Sequence, residues 1–162
     1  MTSAETARRY PCDEFVPAPV MQAWRGVTVQ APAEHVWAWL KQIRLAPYSY
    51  DWIDNLGRRS PRELHQLPEP AEGERFTSAL GGRPLGRVLS CEPGTELTGT
   101  IMGAVMSYVI APTDRRTTRL LLKVVTARAP LTAPLLCLGD LIMARKQLLN
   151  FAHHAERTRP NT

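Results

Sequence analysis

The sequence has 162 residues, 44% of them hydrophobic and 22% charged, with a formal net charge of +5. That length suits one domain burying roughly 68–70% of its unfolded surface, and the composition excludes a disordered or low-complexity chain. Three scattered cysteines, Cys12, Cys91 and Cys137, contain no C-x-x-C pair, so they indicate neither a disulfide framework nor a zinc site.

Buried thiols in a reducing cytoplasm are the expectation. Residues 1–9 are polar, without the apolar core of a secretion signal. No stretch reaches the ~18 apolar residues of a membrane span. The positive charge is carried by arginines, with lysine only at Lys41, Lys123 and Lys146. The arginines fall in scattered pairs, Arg8-Arg9, Arg58-Arg59 and Arg115-Arg116, rather than in a stripe interleaved with aromatics. No nucleic-acid partner is therefore expected.

Residues 1–22 lack periodicity and are expected to form an extended arm that lies over the domain or frays. A domain over 23–158 and a short tail over 159–162 follow. From Ala23 to Ala31 the chain alternates and is rich in β-branched residues, which predicts a strand. Ala31-Pro32-Ala33-Glu34 then opens a helix, proline being free of cost in a first turn and Glu34 lying near the positive dipole end. Val36, Trp37, Leu40 and Ile43 continue it at helical spacing.

The stretch 45–74 is a long irregular connection, of the kind that often carries function. Within it, 51–56 can form one helical turn, and Ser60-Pro61-Arg62-Glu63 has the pattern of a capping box. Strands are expected near 75–80, 85–92, 96–102, 106–111 and 117–127, separated by short turns. Consecutive strands with short turns form an antiparallel meander. A final helix from Thr132 to about Arg157 carries the apolar residues Leu135, Leu138, Leu141, Ile142, Leu148 and Leu149. Thr132 is its expected N-cap, and Lys146, Glu156 and Arg157 belong on its outer side.

The segment Arg25-Gly-Val-Thr-Val-Gln-Ala-Pro-Ala-Glu-His-Val-Trp-Ala-Trp-Leu40 resembles the opening of START-like proteins, the polyketide cyclase and lipid-transport (Bet v 1-like, SRPBCC) superfamily. Tyr48-Ser-Tyr-Asp-Trp-Ile-Asp-Asn55 resembles a second signature of one bacterial branch. Leu138-Gly-Asp-Leu-Ile-Met-Ala-Arg-Lys-Gln-Leu148 resembles its terminal helix. Arg44-Leu45-Ala46-Pro47 stands where that branch usually has a glycine-rich lead-in. The resemblance spans roughly 25–155 and implies an α+β helix-grip fold: a curved antiparallel sheet wrapped around a long C-terminal helix, with two or three short helices. It also implies an internal cavity but no single reaction, since members include carriers, hormone binders and aromatase/cyclases.

Tyr48, Tyr50, Asp51, Trp52 and Asn55 place two phenols, an indole, a carboxylate and an amide in one irregular window. They can rim an apolar cavity and orient a ligand, or they can plug the core and cap a short helix. In the last strand Thr118, Leu120, Leu122, Val124 and Thr126 share one face, with Arg119, Leu121, Lys123 and Val125 on the other. The charged face is expected to meet water, so the first set faces the helix. Met102 and Met106, or Tyr108, are expected to point inward with them. Leu138 and Ile142 line the helix side. Asp140 either turns into the cavity as an acid/base or pairs outside with an arginine.

An empty void of ~300 Å³ would cost about 7 kcal/mol, comparable with a whole domain's stability of about 5–15 kcal/mol, so a cavity of that size would be filled or wet. His35, His65, His153 and His154 lack metal-ligand spacing. No phosphate or dinucleotide fingerprint is present, and no cofactor is expected. Ser107 has no histidine and carboxylate partners to form a hydrolase triad.

The first functional reading is non-catalytic binding or carriage of a small hydrophobic or amphipathic molecule, lipid or polyketide-like. The second is a cyclase/aromatase-like or dehydratase enzyme in which Tyr48, Tyr50 and Asp51 act as acid or base. The third is a protein-interaction module that uses the arginine-rich exterior.

Overall fold

The computed structural model describes residues 1–48, 60–79, 83–127 and 133–158; for 79 and 133–143 it describes the backbone. The elements run α1 (Ser3–Ala7), α2 (Cys12–Phe15), β1 (Met21–Val29), α3 (Ala33–Leu40), a 3-10 turn (Lys41–Arg44), β2 (Arg75–Ala79), β3 (Arg83–Glu92), β4 (Glu96–Ile101), β5 (Ala104–Pro112), β6 (Thr118–Thr126) and α4 (Ala133–Arg157). The six strands form one antiparallel sheet in the order β1-β6-β5-β4-β3-β2. The meander from β2 to β6 is therefore closed by β1, which pairs with β6 from Met21 opposite Thr126 to Val29 opposite Thr118.

This is the curved sheet and long terminal helix of the helix-grip α+β fold, with short helices as expected. The predicted turn over 51–56 and the N-cap Thr132 lie outside the described residues. The capping-box pattern at Ser60 does not start a helix: residues 60–70 are irregular. Side chains of the 3-10 turn tie this backbone down instead. The His65 N–H donates to Gln42 Oε1 at 2.8 Å, Lys41 Nζ donates to the Leu67 carbonyl at 3.2 Å, and Arg44 donates to the Pro68 carbonyl.

One face of the sheet and α3 enclose the main core, which includes Val88, Leu97, Met106, Tyr108, Ile110, Leu120, Leu122 and Val124. Among the described side chains of α4, Ala144, Gln147, Leu148, Phe151, Ala152 and Ala155 are buried. Leu149, expected in that stripe, is 44% exposed; at 3.6 residues per turn it lies one step round from Leu148. Lys146, Glu156 and Arg157 are exposed, as their charge requires. At Gly99 an added Cβ would lie 2.1 Å from the Phe76 ring, so this glycine makes room for an aromatic in the core.

The N-terminal segment is not extended, and the opposite face of β6 does not meet water. Residues 1–16 fold into α1 and α2 and pack on that outer face. There Tyr10, Cys12 and Val16 form a second buried cluster with Val105, Val109, Leu121 and Val125. Lys123 is only 5% exposed. Its ammonium pairs with Asp13 at 2.5 Å and sits over the Tyr10 and Trp24 rings at 5.7 and 5.1 Å. Arg119 binds Glu5 through Nε at 2.7 Å and Nη2 at 3.0 Å, and this hydrogen bonding holds the Glu5 carboxyl below its usual pKa. The Cys12 N–H donates to Ser107 Oγ at 2.8 Å, and that hydroxyl shares a second hydrogen bond with Thr98. The charges on this face were thus not a sign of solvent; they meet acids carried by the arm.

Removing one member of a buried pair strands the other, at about 3–5 kcal/mol. Asp13 keeps 25% of its side chain exposed, which puts Asp13→Asn near the lower end, about 3 kcal/mol. Adding Lys123→Met removes the stranded charge and should recover most of that loss. Equilibrium denaturation of the single and double variants tests this, and equal instability of the two would reject the account.

Candidate ligand site

The inner face of β5 and β6 forms a floor on which Leu122 lies directly opposite Tyr108, and Val124 opposite Met106. Leu120, Leu122 and Tyr108 are fully buried and Met106 nearly so. Between Thr118 and Thr126 at its two ends the floor is apolar, with the Tyr108 hydroxyl as a polar group among the described residues. The Tyr108 hydroxyl lies 3.6 Å from Met106 Sδ and donates to Gln147 Oε1 on α4. Gln147 Nε2 in turn donates to the Pro47 carbonyl, and Asn150 Nδ2 donates to the Tyr48 carbonyl at 2.7 Å. A buried amide and phenol satisfy each other here, as burial of polar groups demands.

These two amides fix the chain where it enters the 49–59 stretch. Tyr48 itself has φ 54°, a left-handed conformation seldom taken by a bulky residue, and the Asn150 hydrogen bond holds its carbonyl there. Its ring packs at 5.2 Å from Phe151 and edge-on to Trp39 and His154, at 6.4 and 6.2 Å. His154 stacks on Trp39 at 4.4 Å. The Trp39 indole N–H donates to Thr158 Oγ1 at 2.7 Å, which ties the end of α4 to α3.

Among the sequence-predicted site residues, Tyr48, Met106, Tyr108, Leu120 and Leu122 all belong to the main core. Met102 does not. It is 86% exposed at the β4–β5 turn, with φ 47° beside Gly103. Met102 falls in the two-residue turn between Ile101 and Ala104, which themselves pack against the core. Tyr50, Asp51, Trp52 and Asn55 lie outside the described residues, as do the side chains of Leu138, Asp140 and Ile142. Gln147 and Asn150 were missed by the sequence reading. Their signal is a pair of amides three residues apart on a helix, one of them interrupting the apolar positions Ala144, Leu148 and Phe151.

Two clefts open on the outside of the molecule. One, of about 490 Å³, is lined by Arg44, Leu45, Leu67, Pro68, Glu74, Arg75 and Pro84. The other, of about 600 Å³, is lined by Gly73, Arg75, Pro84, Gly86, Arg87 and Thr100. Among the described residues no group of three or more histidine, cysteine or acidic side chains could hold a metal ion, and no helix is long and apolar enough to cross a membrane.

A curved six-stranded sheet gripping a terminal helix, with the Tyr108–Gln147 link between them, defines a START-like, or SRPBCC, fold. Solved structures with this architecture agree. A protein from Mesorhizobium loti is 21% identical over 86% of this chain and 99% of its own, with a TM-score of 0.59. An AHSA1-like protein from Aeromonas hydrophila is 16% identical over 88% of this chain and 100% of its own, with a TM-score of 0.53. The di-domain ARO/CYC protein BexL is 12% identical over 85% of this chain and 47% of its own, also with a TM-score of 0.53. No protein-family model matches the sequence, and no curated protein matches it.

Burial pushes the His154 imidazole below its ordinary pKa of 6.5, with His153, Arg62 and Arg157 adding like charge. The folded chain therefore binds fewer protons at this site than the unfolded chain. Its contribution is complete above the unfolded value and is lost as pH falls through about 6.5 toward the lowered folded value. His154→Phe keeps a ring against Trp39 and cannot be protonated. Its stability should improve relative to wild type as pH drops from about 7.5 to 5.5; denaturation midpoints that run parallel across that range would reject the assignment.

Proposed function

We infer that this protein binds a small hydrophobic or amphipathic molecule, lipid or polyketide-like, between the sheet and α4, without acting on it chemically. The observation that carries the reading is the Tyr108–Gln147 hydrogen bond, a polar link set among the apolar residues Met106, Leu120 and Leu122 where helix and sheet meet. Sites for small molecules combine apolar walls with a few placed polar groups that fix orientation. Tyr108 and Gln147 are suited to that task, because a hydroxyl or carbonyl of the ligand can replace one partner for the other. Met106 beside them adds an adaptable, polarisable wall. The START-like fold supports the same reading, since sheet and helix enclose an interior on one side only. On this reading Tyr50, Asp51, Trp52 and Asn55, with Leu138 and Ile142, also contact the ligand.

Native mass spectrometry of the purified protein should reveal a co-purifying molecule that is lost on denaturation. A neutral fluorophore, Nile red, should bind saturably at one site and be displaced by a long-chain alcohol. Tyr108→Phe removes one hydrogen bond worth about 1 kcal/mol and should weaken the alcohol about five-fold. A protein that carries no ligand and gives no saturable Nile red signal would overturn the reading.

A further inference from the structure

The outer face of the sheet carries cations at two places, and they are treated differently. On β6, Arg119 and Lys123 each meet an acid of the N-terminal arm, Glu5 and Asp13. At the other edge, Arg75 on β2 and Arg87 on β3 are direct register partners. Their neighbours Phe76 and Val88 point into the core, so both arginines project outward, and both are exposed. Partners so placed have Cβ atoms about 4.5–5.5 Å apart, and like charges there oppose the pairing. Among the described residues neither guanidinium forms an ion pair. The adjacent acid, Glu74, is engaged elsewhere: its Oε2 accepts from Arg44 Nη1 at 2.9 Å and from the Ala71 N–H at 3.2 Å.

The place is shaped as well as charged. Both arginines line the 600 Å³ cleft together with Thr100. Thr100 is brought in by Gly86, whose φ of 67° and lack of a side chain let β3 lie against the Thr100 carbonyl. Thr100 Oγ1 accepts from the Arg87 backbone N–H at 3.0 Å, which leaves its hydroxyl proton to be donated. Arg75 and Pro84 are shared with the neighbouring cleft, where Leu45, Leu67 and Pro68 supply an apolar floor.

We propose that these clefts form a binding site for a small amphipathic anion. Its oxyanion, a phosphate or a carboxylate, is held by the Arg75 and Arg87 guanidiniums and the Thr100 hydroxyl. Its short apolar part lies over Leu45, Leu67 and Pro68. A bound oxyanion converts a repulsive cross-strand pair into a charge-assisted clamp, the geometry in which planar guanidinium groups bind most strongly. The two guanidiniums and the Thr100 hydroxyl project from the face of the sheet opposite the main core, and none of the residues that line the clefts is Tyr108 or Gln147, so the site is tested separately from ligand binding between sheet and helix.

The test follows arginine Nε–Hε resonances while inorganic phosphate or hexanoate is added at constant ionic strength, with chloride as the balance. At least one should give saturable shifts at Arg75 and Arg87, and the tighter of the two identifies the oxyanion. Arg87→Gln relieves the cross-strand repulsion and so should keep the fold. It should weaken binding about ten-fold and abolish the rise in melting temperature that the anion gives wild type. Arg116→Gln, in the exposed β5–β6 turn, should bind as wild type does. Shifts linear in concentration for both anions, wild-type affinity in Arg87→Gln, or equal weakening in both variants would overturn the proposal.

Discussion

The structure depends on covering both faces of one pair of strands. In β5 and β6 the inner positions Tyr108, Ile110, Leu120 and Leu122 are buried, and so are the outer positions Val105, Val109, Leu121 and Val125. An antiparallel sheet usually leaves one face to water. Here it cannot, because both faces of its centre are apolar. The inner face is served by α4 and α3, and the outer face, among the described residues, by the arm of residues 1–16. At roughly 25 cal/mol per Å² of apolar surface, so short a segment gains little from its own core. The buried Lys123–Asp13 pair and the paired hydrogen bonds from Arg119 to Glu5 give it a fixed position.

On the inner side the same problem is solved with neutral groups. The Tyr108–Gln147 link sets the height of α4 above the sheet, and the two amides Gln147 and Asn150 anchor the chain at Pro47 and Tyr48. One helix face thus registers against the sheet and the loop at once. A neutral pair is also easier to open than a buried ion pair, since each partner strands only a dipole. This difference suits the inner side to accepting a guest and the outer side to staying shut.

Much of the frame was legible in the sequence. Alternating residues gave β6 its inner and outer sets, and helical spacing placed Val36, Trp37 and Leu40 on the buried side of α3. What failed had a common cause: distant partners. Lys123 and Arg119 lie four residues apart on one strand face, about 13 Å, and read as solvated because Asp13 and Glu5 stand more than a hundred positions away. The pattern at Ser60 and Glu63 was a sound local signal, overridden by Gln42, Lys41 and Arg44, which bind the backbone just beyond it at His65, Leu67 and Pro68. At Met102 the period of two was carried back from Ala104 and Met106 of β5 into the turn, where no strand continues it. The amides Gln147 and Asn150 were visible as residues but not as anchors, because their acceptors, Pro47 and Tyr48, belong to a segment without periodicity.

The arm and the arginine pair are two parts of one argument about charge on the outer face. An isolated like-charged pair placed directly across two strands is a cost that a free choice of residues would avoid. On β6 the cost of placing cations on an apolar face is offset within the chain, by acids at the right spacing in the arm. At Arg75 and Arg87, among the described residues, no acid of the arm forms an ion pair, and Glu74 is committed to Arg44. Thr100 and Gly86 add a donor and a close backbone approach that a merely solvated pair of arginines would not require. The missing negative charge at that edge is therefore best supplied from outside the chain, and the apolar floor beside it favours an anion that brings its own apolar part.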